Sequence, residues 1–147
     1  MRRVATAELW EAFAGAVVRI SLPAGDHRIE PRPSGMTGYF SFAAPVDIIT
    51  AYNPAGIESD VEANEARHAS LATALRSRET FATVGSAPDG SMAEPGIAVV
   101  GLEFDEAVEL GRRFGQVAIY RWTADALAIV GVDDRRTVEM GWSLVRL

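Results

Sequence analysis

The sequence predicts a single α+β domain over residues 1–147, with a mixed, mostly antiparallel sheet and about three helices packed on one side of it. Helix and strand patterns interleave along the chain without the strict strand–helix–strand repeat of a parallel sheet. A hydrophobic content of 48% supports an ordinary core, and no linker, repeat or low-complexity tract divides a chain of this length. These observations together indicate one domain.

Three segments have the features of amphipathic helices. The first spans residues 6–15 and begins at the N-cap Thr6. The second opens with the capping box Ser59–Glu62 and runs to about Arg78. The third begins with acidic residues after position 102 and ends with two arginines before Gly115, which is the charge order that the helix dipole favours.

Short β-branched or alternating apolar runs predict the strands. They lie at 16–22, 46–52, 81–84, 97–102, 116–122 and 126–132, with one more in the tail at 137–147. The segment from Pro23 to Pro45 holds four of the seven prolines and shows no such pattern, so we expect a long loop there. Within that loop the aromatic island Tyr39–Phe42 has the alternation of an extra edge strand.

Several classes of chemistry are excluded by composition. The chain has no cysteine, and its two histidines, His27 and His68, lie far apart, so we expect no metal site, disulfide or iron–sulfur cluster. All 14 basic residues are arginine, which excludes Schiff-base and P-loop lysine chemistry and is typical of a GC-rich bacterial genome. No cofactor is expected.

The charge balance and the N-terminal segment predict a location and exclude some partners. A net charge of −6 disfavours nucleic-acid binding, because phosphate backbones would be repelled. Residues 1–15 start with a basic pair but contain no uninterrupted apolar run, so we expect neither a signal peptide nor a membrane span. The prediction is a bacterial cytoplasmic protein that does not contact membranes, and a homo-oligomer is left open.

Polar residues gather where the strand at 46–52 ends and the second helix begins. Tyr52 and Asn53 close the strand, while Asn64 and His68 share a helix face, with Arg67 beside them. The end of a strand facing the start of a helix is a common place for a ligand. The alternative is structural: Asn64 satisfies loop carbonyls and His68 is half exposed.

Two more polar residues have a structural and a functional interpretation. Glu94 precedes a strand and is either a solvated or backbone-anchoring charge or a general base, and the second role requires burial or a neighbouring carboxylate to raise its pKa. Gln116 opens a strand and either caps the preceding helix or contacts a ligand. Helix capping is the interpretation that the pattern favours.

A set of short motifs follows in a fixed order over about residues 46–122. They are Thr50–Pro54, Asn64–Arg67 with Leu71 and Leu75, Gly85, Pro88–Gly90, Glu94–Gly96, and Leu110–Gln116 with Ala118. In this order they resemble the bacterial domain-of-unknown-function family 3293.

The resemblance implies a small single-domain bacterial protein with no established activity. Its motif positions are the polar residues already singled out: Tyr52, Asn53, Asn64, Arg67, Glu94 and Gln116. The family pattern commonly has a bulky aromatic where Gly96 stands in this chain.

Two functions follow as hypotheses. The first is a non-catalytic module that binds a small polar ligand or a protein partner through Tyr52, Asn53, Asn64, Arg67, His68 and Gln116. The alternative is a small hydrolase or transferase with Glu94 as general base and with Asn53, Arg67 and Gln116 positioning the substrate.

Overall fold

The computed structural model describes residues 6–147; residues 1–5, and with them the basic start of the predicted N-terminal segment, lie outside the described part. The strands are β1 (Val17–Leu22), β2 (Gly25–Arg32), β3 (Val46–Thr50), β4 (Thr80–Ser86), β5 (Glu94–Val100), β6 (Ala118–Trp122), β7 (Leu127–Gly131) and β8 (Thr137–Arg146). The helices are α1 (Ala7–Gly15), α2 (Val61–Ala74) and α3 (Phe104–Arg113), and a short 3₁₀ turn lies at Pro54–Gly56.

The sheet is a closed barrel. Its strands follow the order β1-β2-β8-β7-β6-β3-β5-β4, and β4 pairs with β1 to complete the circle. Each of these pairings is antiparallel. The α+β class, the antiparallel sheet and the three helices are confirmed in residues 6–147. The sheet closes into a barrel, however, and the prediction that all helices lie on one side of it is wrong.

The helices occupy two kinds of position around the barrel. Helix α1 closes one end, where its Trp10 joins the interior core and the Tyr120 hydroxyl donates a 2.6 Å hydrogen bond to the Phe13 carbonyl. Helices α2 and α3 pack on the outer wall, where Leu71 and Val108 belong to a second apolar cluster. Among residues 6–147, no helix has the length and apolar character needed to cross a membrane.

Closure depends on β2, which the sequence did not predict. Ile29 is the one buried side chain of this strand, and Pro31 interrupts the pattern further. Helices α2 and α3 pack on β3, β5 and β6, so the outer face of β2 carries charged side chains such as Arg28 and Glu30. A strand with one buried residue has no apolar alternation to detect, although it pairs with both β1 and β8.

The aromatic island is a plug and not a strand, so that prediction is wrong. Phe40 and Phe42 lie in the coil after β2 and pack edge-on against Trp122, with ring centroids 5.1 and 5.7 Å away. Trp142 lies against Phe40 as well, at 6.3 Å. These rings close the barrel end opposite α1, so aromatic burial accounts for the pattern.

Helix boundaries differ from the prediction at α2. Asp60 is the N-cap, because its carboxylate accepts from the Ala63 N–H at 2.8 Å, and the predicted cap Ser59 lies before it. The helix ends at Ala74, short of the expected Arg78. Helix α3 ends as predicted, with Gly115 in the left-handed region at φ 73°.

Candidate functional site

Asn53 is the centre of a hydrogen-bond network at the end of β3. Its backbone is left-handed, with φ 47°, a conformation that asparagine tolerates better than most residues. Its Oδ1 accepts from the Ser59 N–H at 3.0 Å and from Asn64 Nδ2 at 2.9 Å, and its Nδ2 donates to Glu94 Oε1 at 2.8 Å. One side chain thus joins the end of β3, the approach to α2 and the start of β5.

Asn64 and Arg67 extend the network along α2. Asn64 is buried, and its Oδ1 accepts from the Asn53 N–H at 2.9 Å and from Arg67 Nη2 at 2.5 Å. Arg67 Nε donates to the Ala51 carbonyl at 3.0 Å. Asn64 Nδ2 also donates to the Ser59 carbonyl at 3.3 Å, so the contact with a loop carbonyl that the structural interpretation expects is present. Arg67 already uses one nitrogen on the Ala51 carbonyl and another on Asn64.

Gln116 and Tyr52 connect the same loop to the end of α3. Gln116 Nε2 donates to the Tyr52 carbonyl at 3.0 Å and to the Phe114 carbonyl at 3.3 Å, and Phe114 is the C-cap of α3. The Tyr52 ring meets the His68 ring edge-on, with centroids 6.2 Å apart. His68 Nδ1 is buried without a hydrogen-bond partner. The structure thus brings all the candidate residues into one region.

Glu94 differs from the other members because it lies on the barrel wall and faces the interior. It is the first residue of β5, in the inward-facing register of Ala98, at the end closed by α1. The side chain is half-buried, and this burial raises the pKa of the carboxyl, an effect that the Asn53 hydrogen bond opposes only in part. Burial thus shifts the pKa of Glu94 in the direction that a general base requires.

Gly96 lies one inward step from Glu94 and cannot carry a side chain in this backbone. A Cβ there would lie 2.8 Å from the Ile49 carbonyl oxygen and 3.0 Å from Thr83 Oγ1. The resemblance implies that a bulky aromatic is common at this position, and in this chain the packing of β3 and β4 against Gly96 leaves no room for one.

Tyr120 and Thr50 are interior polar groups near Glu94 that the sequence did not single out. The Tyr120 phenol is buried, and both this burial and the charge of Glu94 raise its pKa. Its hydroxyl donates to the Phe13 carbonyl, while the Thr50 hydroxyl donates to the Pro95 carbonyl at 2.8 Å. Strand register could have placed Tyr120 inside, but only closure brings it near Glu94.

A buried ion pair on the outer wall was also missed. Asp47 is 0% exposed and lies 3.1 and 3.2 Å from Nη1 of Arg121, the residue opposite it on β6. Burial raises the pKa of Asp47 to about 7, although the Arg121 charge opposes this change. Arg121 also donates to the Leu102 carbonyl and lies over the Phe104 ring. An aspartate in the middle of an apolar strand was the available signal.

The acidic and histidine side chains of residues 6–147 form no group of three or more that could hold a metal ion. The two histidines are separated, as the sequence indicates: His27 Nδ1 lies 2.9 Å from the Gly25 carbonyl in β2, and His68 lies in α2. Glu94 therefore belongs to no such group among the described residues.

Comparison with known proteins supports the resemblance seen in the motifs. A family model described as "Protein of unknown function (DUF3293)" matches residues 49–119, from the end of β3 into β6. The match includes Asn53, Asn64, Arg67, Glu94 and Gln116, so it covers the whole hydrogen-bond network. No curated protein and no solved structure matches the chain significantly.

Proposed function

We propose that this protein is a non-catalytic module that binds a small polar ligand at the barrel end where Glu94 meets the Asn53 network. The observation that carries the proposal is the contrast inside this cluster. The amide groups of Asn53 and Asn64 are engaged with each other, with the backbone, with Arg67 and, through Asn53 Nδ2, with Glu94. Glu94, by contrast, has only one carboxylate oxygen engaged. The amides are thus a frame, and Glu94 is the group held ready for a ligand.

The frame supports binding because it fixes the carboxylate. Asn53 Nδ2 holds Oε1, while the left-handed turn at Asn53 is secured by the start of α2. A ligand group that meets a pre-oriented carboxylate loses less free energy to the ordering of side chains. Arg67 and Gln116 contribute indirectly, since they anchor the carbonyls of Ala51 and Tyr52, the two residues that precede Asn53.

The absence of an activated nucleophile favours binding over catalysis. In the described chain, no serine or threonine hydroxyl is hydrogen-bonded to Glu94, and the nearby Thr50 hydroxyl donates to Pro95. Covalent catalysis requires a nucleophile within reach of its base. A carboxylate without such a partner can still orient a ligand.

A thermal-shift screen against nucleotides, sugars, amines and amino-acid derivatives tests the proposal. We expect at least one class to stabilise the protein and Glu94→Gln to abolish that stabilisation, because the amide keeps the shape but loses the charge. Glu30→Gln is the matched control, since Glu30 is a half-buried glutamate on β2. If no compound stabilises the protein, the small-ligand proposal fails, and a protein partner becomes the leading hypothesis.

A second candidate function rests on the environment of Glu94. Burial raises the pKa of its carboxyl toward the range in which a general base works, and Asn53 orients it. This favours a hydrolase that activates water and requires no protein nucleophile. Hydrolysis of a generic ester panel that disappears in Glu94→Gln would support this function; activity that survives the substitution would exclude it.

The proposal keeps the bacterial cytoplasmic location expected from the sequence. Cell fractionation of the expressed chain tests the location, and recovery in the membrane fraction would contradict it.

Exposed apolar side chains at Ile57 and Val61 lie beside the Asn53 turn and are where a protein partner would be sought.

A further inference from the structure

We propose that the ligand of the Glu94 site is an organic cation, such as a primary ammonium, that pairs with the Glu94 carboxylate. The inference rests on the proposed binding function and adds the chemical class of the ligand. It follows from the way in which the partly and fully buried carboxylates of this chain are neutralised.

Other shielded carboxylates have fixed cationic partners. Glu30 is held by Arg28 at 2.6 Å and by Arg32 at 2.8 Å, and buried Asp47 is held by Arg121. In each pair an arginine of the same or the neighbouring strand offsets the cost of removing the charge from water. This is the ordinary solution for a shielded acid.

Glu94 has no such partner. Within residues 6–147 its one hydrogen bond comes from the neutral Asn53 amide, and no arginine or histidine forms an ion pair with it. Burial and this amide are the influences on its pKa, and no basic side chain contributes. The missing positive charge is therefore the feature that a ligand can supply.

The neighbouring groups favour a ligand that donates hydrogen bonds. The Tyr120 hydroxyl donates to the Phe13 carbonyl and the Thr50 hydroxyl to the Pro95 carbonyl. Neither hydroxyl therefore donates to Glu94, whose carboxylate can accept hydrogen bonds from a ligand. An ammonium both donates hydrogen bonds and brings charge, and charge-assisted bonds are about twice as strong as neutral ones. An anionic ligand would meet repulsion from Glu94 and from a chain with a net charge of −6.

A metal ion fits this site less well than an organic cation. Calcium takes six to eight oxygen ligands and magnesium requires near-octahedral geometry. Among the described residues, Glu94 belongs to no group of three or more acidic or histidine side chains that could hold a metal ion. A single carboxylate with one oriented oxygen suits the directional N–H groups of an amine.

The experiment compares probes with a four-carbon chain whose end groups are cationic, neutral or anionic. Binding of 1,4-diaminobutane, 1,4-butanediol and succinate is measured by calorimetry on the full chain at about pH 8 and constant ionic strength, where the amines are charged. We expect the diamine to bind and the diol and the dianion not to. Glu94→Gln should weaken diamine binding about tenfold or more, as expected for the loss of a charged hydrogen-bond partner.

Two controls separate the site from general attraction to an acidic protein. Glu30→Gln changes the net charge by the same amount as Glu94→Gln, so it should leave diamine affinity within about twofold if the site is at Glu94. On the unmodified protein, amide chemical shifts should move at Glu94, Gly96 and Thr83 when the diamine is added. This second measurement needs no variant to fold.

The outcomes distinguish the inference that the ligand is a cation from the proposed ligand-binding function on which it rests. If the diamine binds and only Glu94→Gln abolishes its binding, the cation inference and the binding function are both supported. Glu94-dependent binding of the diol or of succinate overturns the cation inference and leaves the binding function standing. Diamine binding that survives Glu94→Gln, or that falls equally in Glu30→Gln, overturns the inference, and no binding by any probe or screened compound overturns both.

Discussion

Two acidic residues on neighbouring strands show how differently this barrel treats a shielded charge. Asp47 on β3 faces outward beneath the α3 layer and is fully buried against Arg121. Glu94 on β5 faces inward at the end closed by α1 and is half-buried with a single amide donor. Strands β3 and β5 pair directly, so the two carboxylates belong to adjacent parts of one wall.

The comparison shows which carboxylate is part of the architecture. Asp47 and Arg121 hold β3, β6 and the start of α3 together, because Arg121 also reaches the Leu102 carbonyl. Replacing such a pair by apolar residues is often harmless, whereas removing one partner is costly. Glu94 accepts one hydrogen bond, which a neutral amide oxygen could accept as well, so we expect its charge to be dispensable for folding.

The largest expected effect comes from breaking the Asp47 pair. Arg121→Ala leaves a fully buried carboxylate without its cation, and we expect the free energy of unfolding at about pH 8 to fall by about 3–5 kcal/mol. Urea denaturation measures this. Arg19→Ala, which breaks an exposed pair with Asp26, is the control and should cost less than about 1 kcal/mol. Equal costs would show that burial does not distinguish the two pairs.

The pH dependence of stability probes the same comparison. Because the folded pKa of Asp47 lies at about 7 and the unfolded pKa is near 3.8, the folded state binds this proton more tightly. Stability should therefore fall as the pH rises from about 4 to about 7, by up to about 4 kcal/mol. Asp47→Asn should flatten most of this slope in denaturation curves taken at several pH values. An unchanged slope in that variant would assign the effect to another group.

A substitution in the hydrogen-bond network around Asn53 should lower the free energy of unfolding by an intermediate amount. Asn53→Ala removes three side-chain hydrogen bonds and places alanine in a left-handed conformation, so we expect a loss of about 2–3 kcal/mol in the free energy of unfolding. Thermal and urea denaturation measure this. Asp89→Ala, which loses hydrogen bonds in an exposed turn, is the control and should cost about 0.5 kcal/mol or less.

The smallest effect on stability should be that of Glu94→Gln. The amide oxygen can still accept from Asn53, and a neutral group is less costly to shield than a charge, so the change should stay below about 1 kcal/mol. Denaturation measures it. A loss as large as that of Arg121→Ala would make Glu94 a structural residue and remove the contrast with Asp47.

The polar residues of the candidate site could be selected from the sequence, but their partners could not. Strand ends, a helix face and the motif resemblance all indicated Asn53, Asn64, Arg67, Glu94 and Gln116. Sequence spacing does not show that Asn53 bonds Glu94 across 41 positions, or that Gln116 reaches the Tyr52 carbonyl across 64. The capping role favoured for Gln116 is observed; ligand binding by the set stays a prediction.

Local sequence patterns predicted most of the helices and strands. They failed where the burial of a segment did not follow its local pattern. The apolar run at β3 and the acidic-to-basic order of α3 each predict their element, because propensity, capping and burial agree there. At β2 they disagree, since one buried Ile29 among charged residues stabilises a strand only through pairing on both sides. At Phe40 and Phe42 the apolar alternation is real, but it serves a plug.

The amino-acid sequence alone therefore determines the class of the fold, most of its elements, the polar residues of the candidate site and the chemistries excluded by missing cysteine and lysine. Closure of the sheet, the burial of Asp47 against Arg121 and the inward orientation of Glu94 depend on the assembled barrel. The physical reason is that strand pairing and desolvation are long-range. A carboxylate has the same sequence signature wherever it lies, and only its surroundings distinguish a structural anchor from a group available to a ligand.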